Sequence, residues 1–127
     1  MQTVIICLFI SALLPYAAKV PVAVAMFRLG GYDNKHPRAQ QGDLTDFGAR
    51  ALAAHQNAFE ALIVFAVAAI TAIATNNVSG SVEIAAVAFV ISRVAYNVFY
   101  LINLDVLRSS VWGVAMISCF YILGQCI

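Results

Sequence analysis

Charge is what this sequence has least of. Of its 127 residues, 7 are Lys or Arg and 6 are Asp or Glu. Charged side chains thus make up 10% of the chain, where a soluble domain carries roughly a quarter. The other 63% that are hydrophobic could not be kept in water by so few charges. A net charge of +1 argues against a nucleic-acid partner, because such binding rests on a basic footprint. Histidine is scarce too. His36 and His55 lie in different segments with no second ligand pair nearby, so no metal site is expected. The three cysteines, Cys7, Cys119 and Cys126, fall in apolar runs without CxxC spacing and read as small buried hydrophobes. The first apolar segment follows Met1 without a basic region and outruns the ~7–15 apolar residues of a signal peptide, so it reads as a retained span. Repeats, low-complexity tracts and lipidation motifs are absent.

What the chain does have is apolar length. Segments at about 3–27, 50–75, 82–102 and 108–126 are greasy enough to cross a bilayer, which takes about 20 residues as a helix. The expected architecture is all-α, a four-transmembrane-helix bundle formed by one domain of residues 1–127. Pro15 and Pro21 predict a kink in the first span, and Lys19 beside them can snorkel toward its own end of the membrane. The one long polar stretch, 28–49, holds the loop formers Gly30, Gly31, Asp33, Asn34 and Pro37. Two shorter breaks, Thr75–Ser81 and Asn103–Ser110, separate the remaining spans. Basic residues cluster in and around 28–50 (Arg28, Lys35, Arg38, Arg50) and at Arg108, with none between the second and third spans. The positive-inside bias then puts both basic loops in the cytoplasm and both termini outside.

Against this background the interior charges stand out. Glu60 is about ten residues inside the second span and Arg93 is at a similar depth in the third, on the order of 15 Å from the same face at 1.5 Å per residue. A charge at membrane depth is expensive; it faces protein or water, finds a partner and marks function. Gln56, Asn57 and Glu60 share a helical face, and Arg93, Tyr96, Asn97 and Tyr100 form one stripe at i, i+3, i+4, i+7. The matched depth predicts a buried Glu60–Arg93 pair between neighbouring helices. Such a pair has an architectural reading, fixing which helices pack together. It also has a functional one, since guanidinium groups bind carboxylates in bidentate fashion. The arginines at the cytoplasmic ends likewise serve either lipid headgroup contact or a basic mouth that attracts an anion.

The run Arg50…His55-Gln56-Asn57…Glu60, followed by Arg93…Tyr96…Tyr100 and then Arg108-Ser109, resembles the MAPEG family, the membrane-associated proteins in eicosanoid and glutathione metabolism. The resemblance covers nearly the whole chain and implies a short bacterial-type member in the inner membrane. It implies a homotrimer with glutathione, as co-substrate, in a cleft between protomers. It further implies a glutathione transferase or peroxidase acting on a lipophilic small molecule that enters from the bilayer. The implied glutathione contacts are Arg28, Arg50, Asn57, Glu60, Arg93, Tyr96, Tyr100 and Ser109, with Arg108 as the catalytic group that favours the thiolate. The chain departs from the family at Ala53 and Gln56, where well-studied members carry arginine.

Two other functions stand beside this one. A non-catalytic membrane scaffold of the same family would bind no glutathione. A small four-span exporter would use Glu60 as its proton carrier, although that class keeps its key carboxylate in the first span, where this chain has Lys19.

Overall fold

A computed structural model describes every residue from Met1 to Ile127 and contains five helices and no strand. They are α1 (Gln2–Phe27), α2 (Pro37–Gln41), α3 (Asp46–Ala74), α4 (Gly80–Leu101) and α5 (Asp105–Gly124). All but the short α2 are long and apolar enough to cross a membrane. The second span starts at Asp46 rather than near residue 50, and the fourth at Asp105 rather than 108. Asp46, Gly48 and Asp105 in these added stretches read as loop residues in the sequence.

The ends of α3 and α4 explain the sharp reversals. Asn76 and Asn103 adopt left-handed backbone, with φ of 58° and 61°. In the first case Asn77 N donates to Ala72 O at 2.9 Å and Asn76 N to Ile73 O at 3.1 Å. In the second Leu104 N donates to Phe99 O at 2.9 Å and Asn103 N to Tyr100 O at 3.3 Å. This double closure satisfies carbonyls that a helix end leaves orphaned, and asparagine is the residue after glycine best able to adopt the required conformation. Ser79 then opens α4, its hydroxyl accepting from Val82 N.

Packing follows from small residues at helical spacing. Ala51, Ala54, Ala58, Ala61, Ala68 and Ala72 line the buried face of α3. In lipid, where helices gain nothing from hiding apolar surface, such a face lets backbones approach closely. Phe65 of α3 and Phe89 of α4 stack with centroids 4.1 Å apart. Around them, Val4 and Cys7 of α1 and Ala115, Cys119 and Ile122 of α5 complete the main core. Trp112, the chain's one tryptophan, is half-exposed on α5, one turn beyond Arg108.

A second, smaller core anchors the polar loop. Leu44 is buried against Val22, Ala25, Met26 and Ala51. Gln40 of α2 donates to Gly31 O at 2.7 Å and accepts from Asp33 N at 2.9 Å. The stretch 28–49 is therefore a folded cap on one end of the bundle. Gly48 permits its close approach, since a Cβ there would lie 3.1 Å from that of Ala25.

α1 remains one helix across Pro15 and Pro21. A proline has no N–H, so the Ser11 and Ala17 carbonyls have lost their normal i+4 donors. One turn along, the Pro15 carbonyl gains a partner from outside the helix: His55 Nδ1 is 2.8 Å away. A carbonyl only accepts, so Nδ1 carries the hydrogen. This bond ties α3 to α1.

Candidate functional site

Asn57 and Glu60 sit on α3 three residues apart, and Arg93, Tyr96 and Tyr100 form a stripe on α4. The packing of α3 against α4 brings the two stripes together. Arg93 is enclosed, with 1% of its surface exposed. Its Nη2 donates to Asn57 Oδ1 at 2.7 Å and, more weakly, to Asn57 O at 3.4 Å. Asn57 Nδ2 in turn donates to Glu60 Oε2 at 2.8 Å.

The direct Glu60–Arg93 pair expected from matched depth is therefore absent. Asn57 lies between the two charges, and Glu60 is exposed on the surface of the protomer. The only ion pair in the chain joins the Met1 ammonium to Glu83 at the opposite end of α4. Position along the two helices brings these residues to the same level of the bundle, but it says nothing about the azimuth of a side chain. Glu60 is one helical turn beyond Asn57 and turns outward.

On its other side the Arg93 guanidinium lies over the Tyr96 ring, 4.1 Å from the centroid. Tyr96 meets Tyr100 edge to face at 5.5 Å. The Arg108 guanidinium covers the Tyr100 ring at 4.3 Å. Cations over aromatic faces are attracted by the ring quadrupole, more so where water is excluded. A continuous chain of contacts thus runs Glu60, Asn57, Arg93, Tyr96, Tyr100, Arg108 through three helices. The tight Asn103 turn makes its last link possible, folding α5 back so that Arg108 reaches Tyr100.

Arg28, Arg50 and Ser109 stand apart from this chain. Arg28 caps α1 and is exposed. Arg50 keeps its Nε buried without a partner. Ser109 is exposed next to Arg108 and borders an open groove with Asp105 and Ser110. Of the loop cap, sequence reasoning named Arg38 as part of a basic mouth but overlooked Gln40 and Gln41. Arg38 and Gln41 join His55 and Gln56 around an open groove of about 480 Å³, next to Asn57 along α3. Their partnership depends on α2, a helix too short to leave a hydrophobic period. No cluster of His, Cys, Asp or Glu is arranged to hold a metal.

Four membrane-length helices around an enclosed guanidinium, with a polar and aromatic chain rising to one end, define an integral membrane protein of the four-span helical class. The sequence model of the MAPEG family matches residues 3–127, essentially the whole chain. The chain belongs to the MAPEG family. No curated protein and no solved structure matches it.

Proposed function

We propose that this protein binds glutathione at the Asn57–Glu60 end of the polar chain and activates its thiol near Arg108. It would act as a glutathione transferase or peroxidase on lipophilic electrophiles. The observation that carries this reading is the arrangement of Asn57. Arginine offers only donors, so Arg93 holds the Asn57 oxygen inward and turns its amide N–H toward the outward-facing Glu60. An exposed carboxylate beside an oriented amide suits an ammonium group such as the glutathione α-amine. Arg93 itself is too deeply enclosed to touch a ligand and serves as the positioning residue for Asn57.

The chemistry belongs to the other end. The thiolate is the attacking species, and a guanidinium nearby favours the anion. Stacking on Tyr100 holds Arg108 in one orientation, with Ser109 next to it. The sulfur of glutathione forms a bond to an electrophilic carbon. The leaving group departs with its electron pair, and the thiol proton passes to solvent. With a hydroperoxide, the same thiolate attacks the terminal oxygen, the O–O bond breaks and the alkoxide leaves as the alcohol after taking a proton; a second glutathione then converts the resulting sulfenic acid to the disulfide and water.

A homotrimer in the membrane accounts for the outward-facing residues. Glu60, Arg28 and Ser109 are exposed in a single chain, and a neighbouring copy would supply the second wall of the cleft. The basic residues of the cap and Arg108 support a cytoplasmic position for this end, with both termini outside, in a bacterial inner membrane. The family's scaffold reading also has an observation in its favour. Position 56 is glutamine and position 53 alanine, so two further cations that would hold the glutathione carboxylates are missing. Calorimetry of glutathione with purified, detergent-solubilised protein separates the two. Saturable binding that Glu60→Ala weakens supports the enzyme reading, and absence of binding to the wild type supports the scaffold.

A further inference from the structure

A second cavity lies on a different face of α4. It is a crevice of about 200 Å³ between α1, α3 and α4, walled by Ala17, Pro21, Ala51, Ala54, Asn97 and Val98 among others. At about 100° of helix rotation per residue, Val94, Val98 and Leu101 of its α4 wall point roughly a quarter-turn or more away from the mean direction of Arg93, Tyr96 and Tyr100, with Asn97 at the border between the two faces. The thiol site and this crevice therefore do not share side chains. The crevice opens where Ala17, Val94 and Val98 are exposed on the surface of the protomer.

The crevice is almost wholly apolar, and its unpartnered polar groups are acceptors. Pro21 has no N–H to give to the Ala17 carbonyl. That carbonyl points along the helix toward Pro21, both residues belong to the wall, and no side chain donates to it. Asn97 is the one polar side chain in the wall. Its Nδ2 donates to Arg93 O at 2.9 Å, while its Oδ1 is buried with no donor. An acceptor left without a donor at membrane depth is a standing penalty. The neighbouring helices do not relieve it here.

We propose that this crevice is a binding site for a lipophilic molecule carrying a single hydroxyl, a phenol or an alcohol, whose O–H donates to the Ala17 carbonyl. The volume suits a molecule of two fused aromatic rings; a dry cavity of about 150 Å³ accepts benzene. The alanines on the α3 side leave room for a flat ring to lie against the helix, and the opening at the protomer surface gives a path of entry.

The test compares 1-naphthol with 1-methylnaphthalene, which has nearly the same shape but no donor. Binding to the full chain is measured in nanodiscs, with concentrations referred to the bilayer phase. The wild type should bind 1-naphthol at one saturable site per chain, about tenfold tighter than 1-methylnaphthalene. Pro21→Ala restores the missing N–H and should bring the two within about twofold, while 1-methylnaphthalene still binds. Ala18→Phe fills the crevice and should abolish both. A photoreactive naphthol should label residues 14–21 and 94–101 of the wild type. Equal binding of the two compounds by the wild type overturns the proposal, as does a naphthol preference that survives in Pro21→Ala. Labelling elsewhere, or crosslinks in which a second copy occupies the crevice, does the same. If either variant fails to fold by helical circular dichroism, the wild-type pair of ligands and the labelling map decide.

Discussion

Arg93 fixes the direction in which Asn57 faces. Its Nη2 is 2.7 Å from the Asn57 oxygen, which leaves the amide nitrogen to reach Glu60 Oε2 at 2.8 Å. Removing Asn57 should therefore be felt twice, by an enclosed cation and by an exposed anion. Arg93 already has one buried N–H group, Nη1, without a partner. Asn57→Ala would leave Nη2 without its side-chain acceptor, with an expected loss of about 1–3 kcal/mol. Arg93→Met combined with Asn57→Ala should lose less than the sum of the single changes, because neither variant leaves the other's partner to strand. Thermal unfolding followed by helical circular dichroism in detergent checks this, and additive losses would contradict it.

Glu60 behaves differently because it touches Asn57 rather than Arg93 and is exposed. Glu60→Gln should change folding stability by no more than about 0.5 kcal/mol. Glutathione affinity should nevertheless fall roughly tenfold, as expected for losing a charged hydrogen bond. Calorimetry of the variant beside its unfolding curve separates the two effects. A large stability loss with unchanged affinity would make Glu60 a structural residue.

The site was legible in parts. Polarity at helical spacing identified Asn57, Glu60, Arg93, Tyr96 and Tyr100 as neighbours, and apolar length gave the four spans. What the spacing could not reveal was which side chain would intervene. Glu60 and Arg93 lie at similar levels along their helices, but the azimuth of α3 puts Asn57 opposite the guanidinium. The Arg108–Tyr100 stack depends on the left-handed Asn103 turn, which reads in sequence only as a short polar break. The cap was missed for a related reason: Gln40 organises it through backbone carbonyls, and such bonds leave no pattern of residue types.

Arg108→Ala should reduce turnover with a chlorinated nitrobenzene while leaving glutathione affinity nearly intact. Without the guanidinium the thiol pKa rises, so the half-maximal rate moves to higher pH. Arg108→Lys keeps a charge but loses the planar stack on Tyr100, and should recover part of the rate. Full turnover by Arg108→Ala at neutral pH would reduce this residue to a topology signal.

The exposed Glu60, Arg28 and Ser109 should become covered on assembly. Native mass spectrometry in mild detergent is expected to give a homotrimer, with crosslinks between engineered cysteines at Arg28 of one protomer and Ser109 of the next. A population of monomers and dimers alone would rule out a cleft between three copies.

Trp112 gives this molecule a built-in optical gauge. It is the single indole in the chain and lies one turn of α5 beyond Arg108. Excitation at the red edge of protein absorbance therefore selects one locus, despite the five tyrosines elsewhere. On the proposed mechanism, a negatively charged sulfur beside the guanidinium would alter the electric field at that indole. Its emission colour and quenching would then follow the arrival of thiolate in real time, with no dye, label or added chromophore.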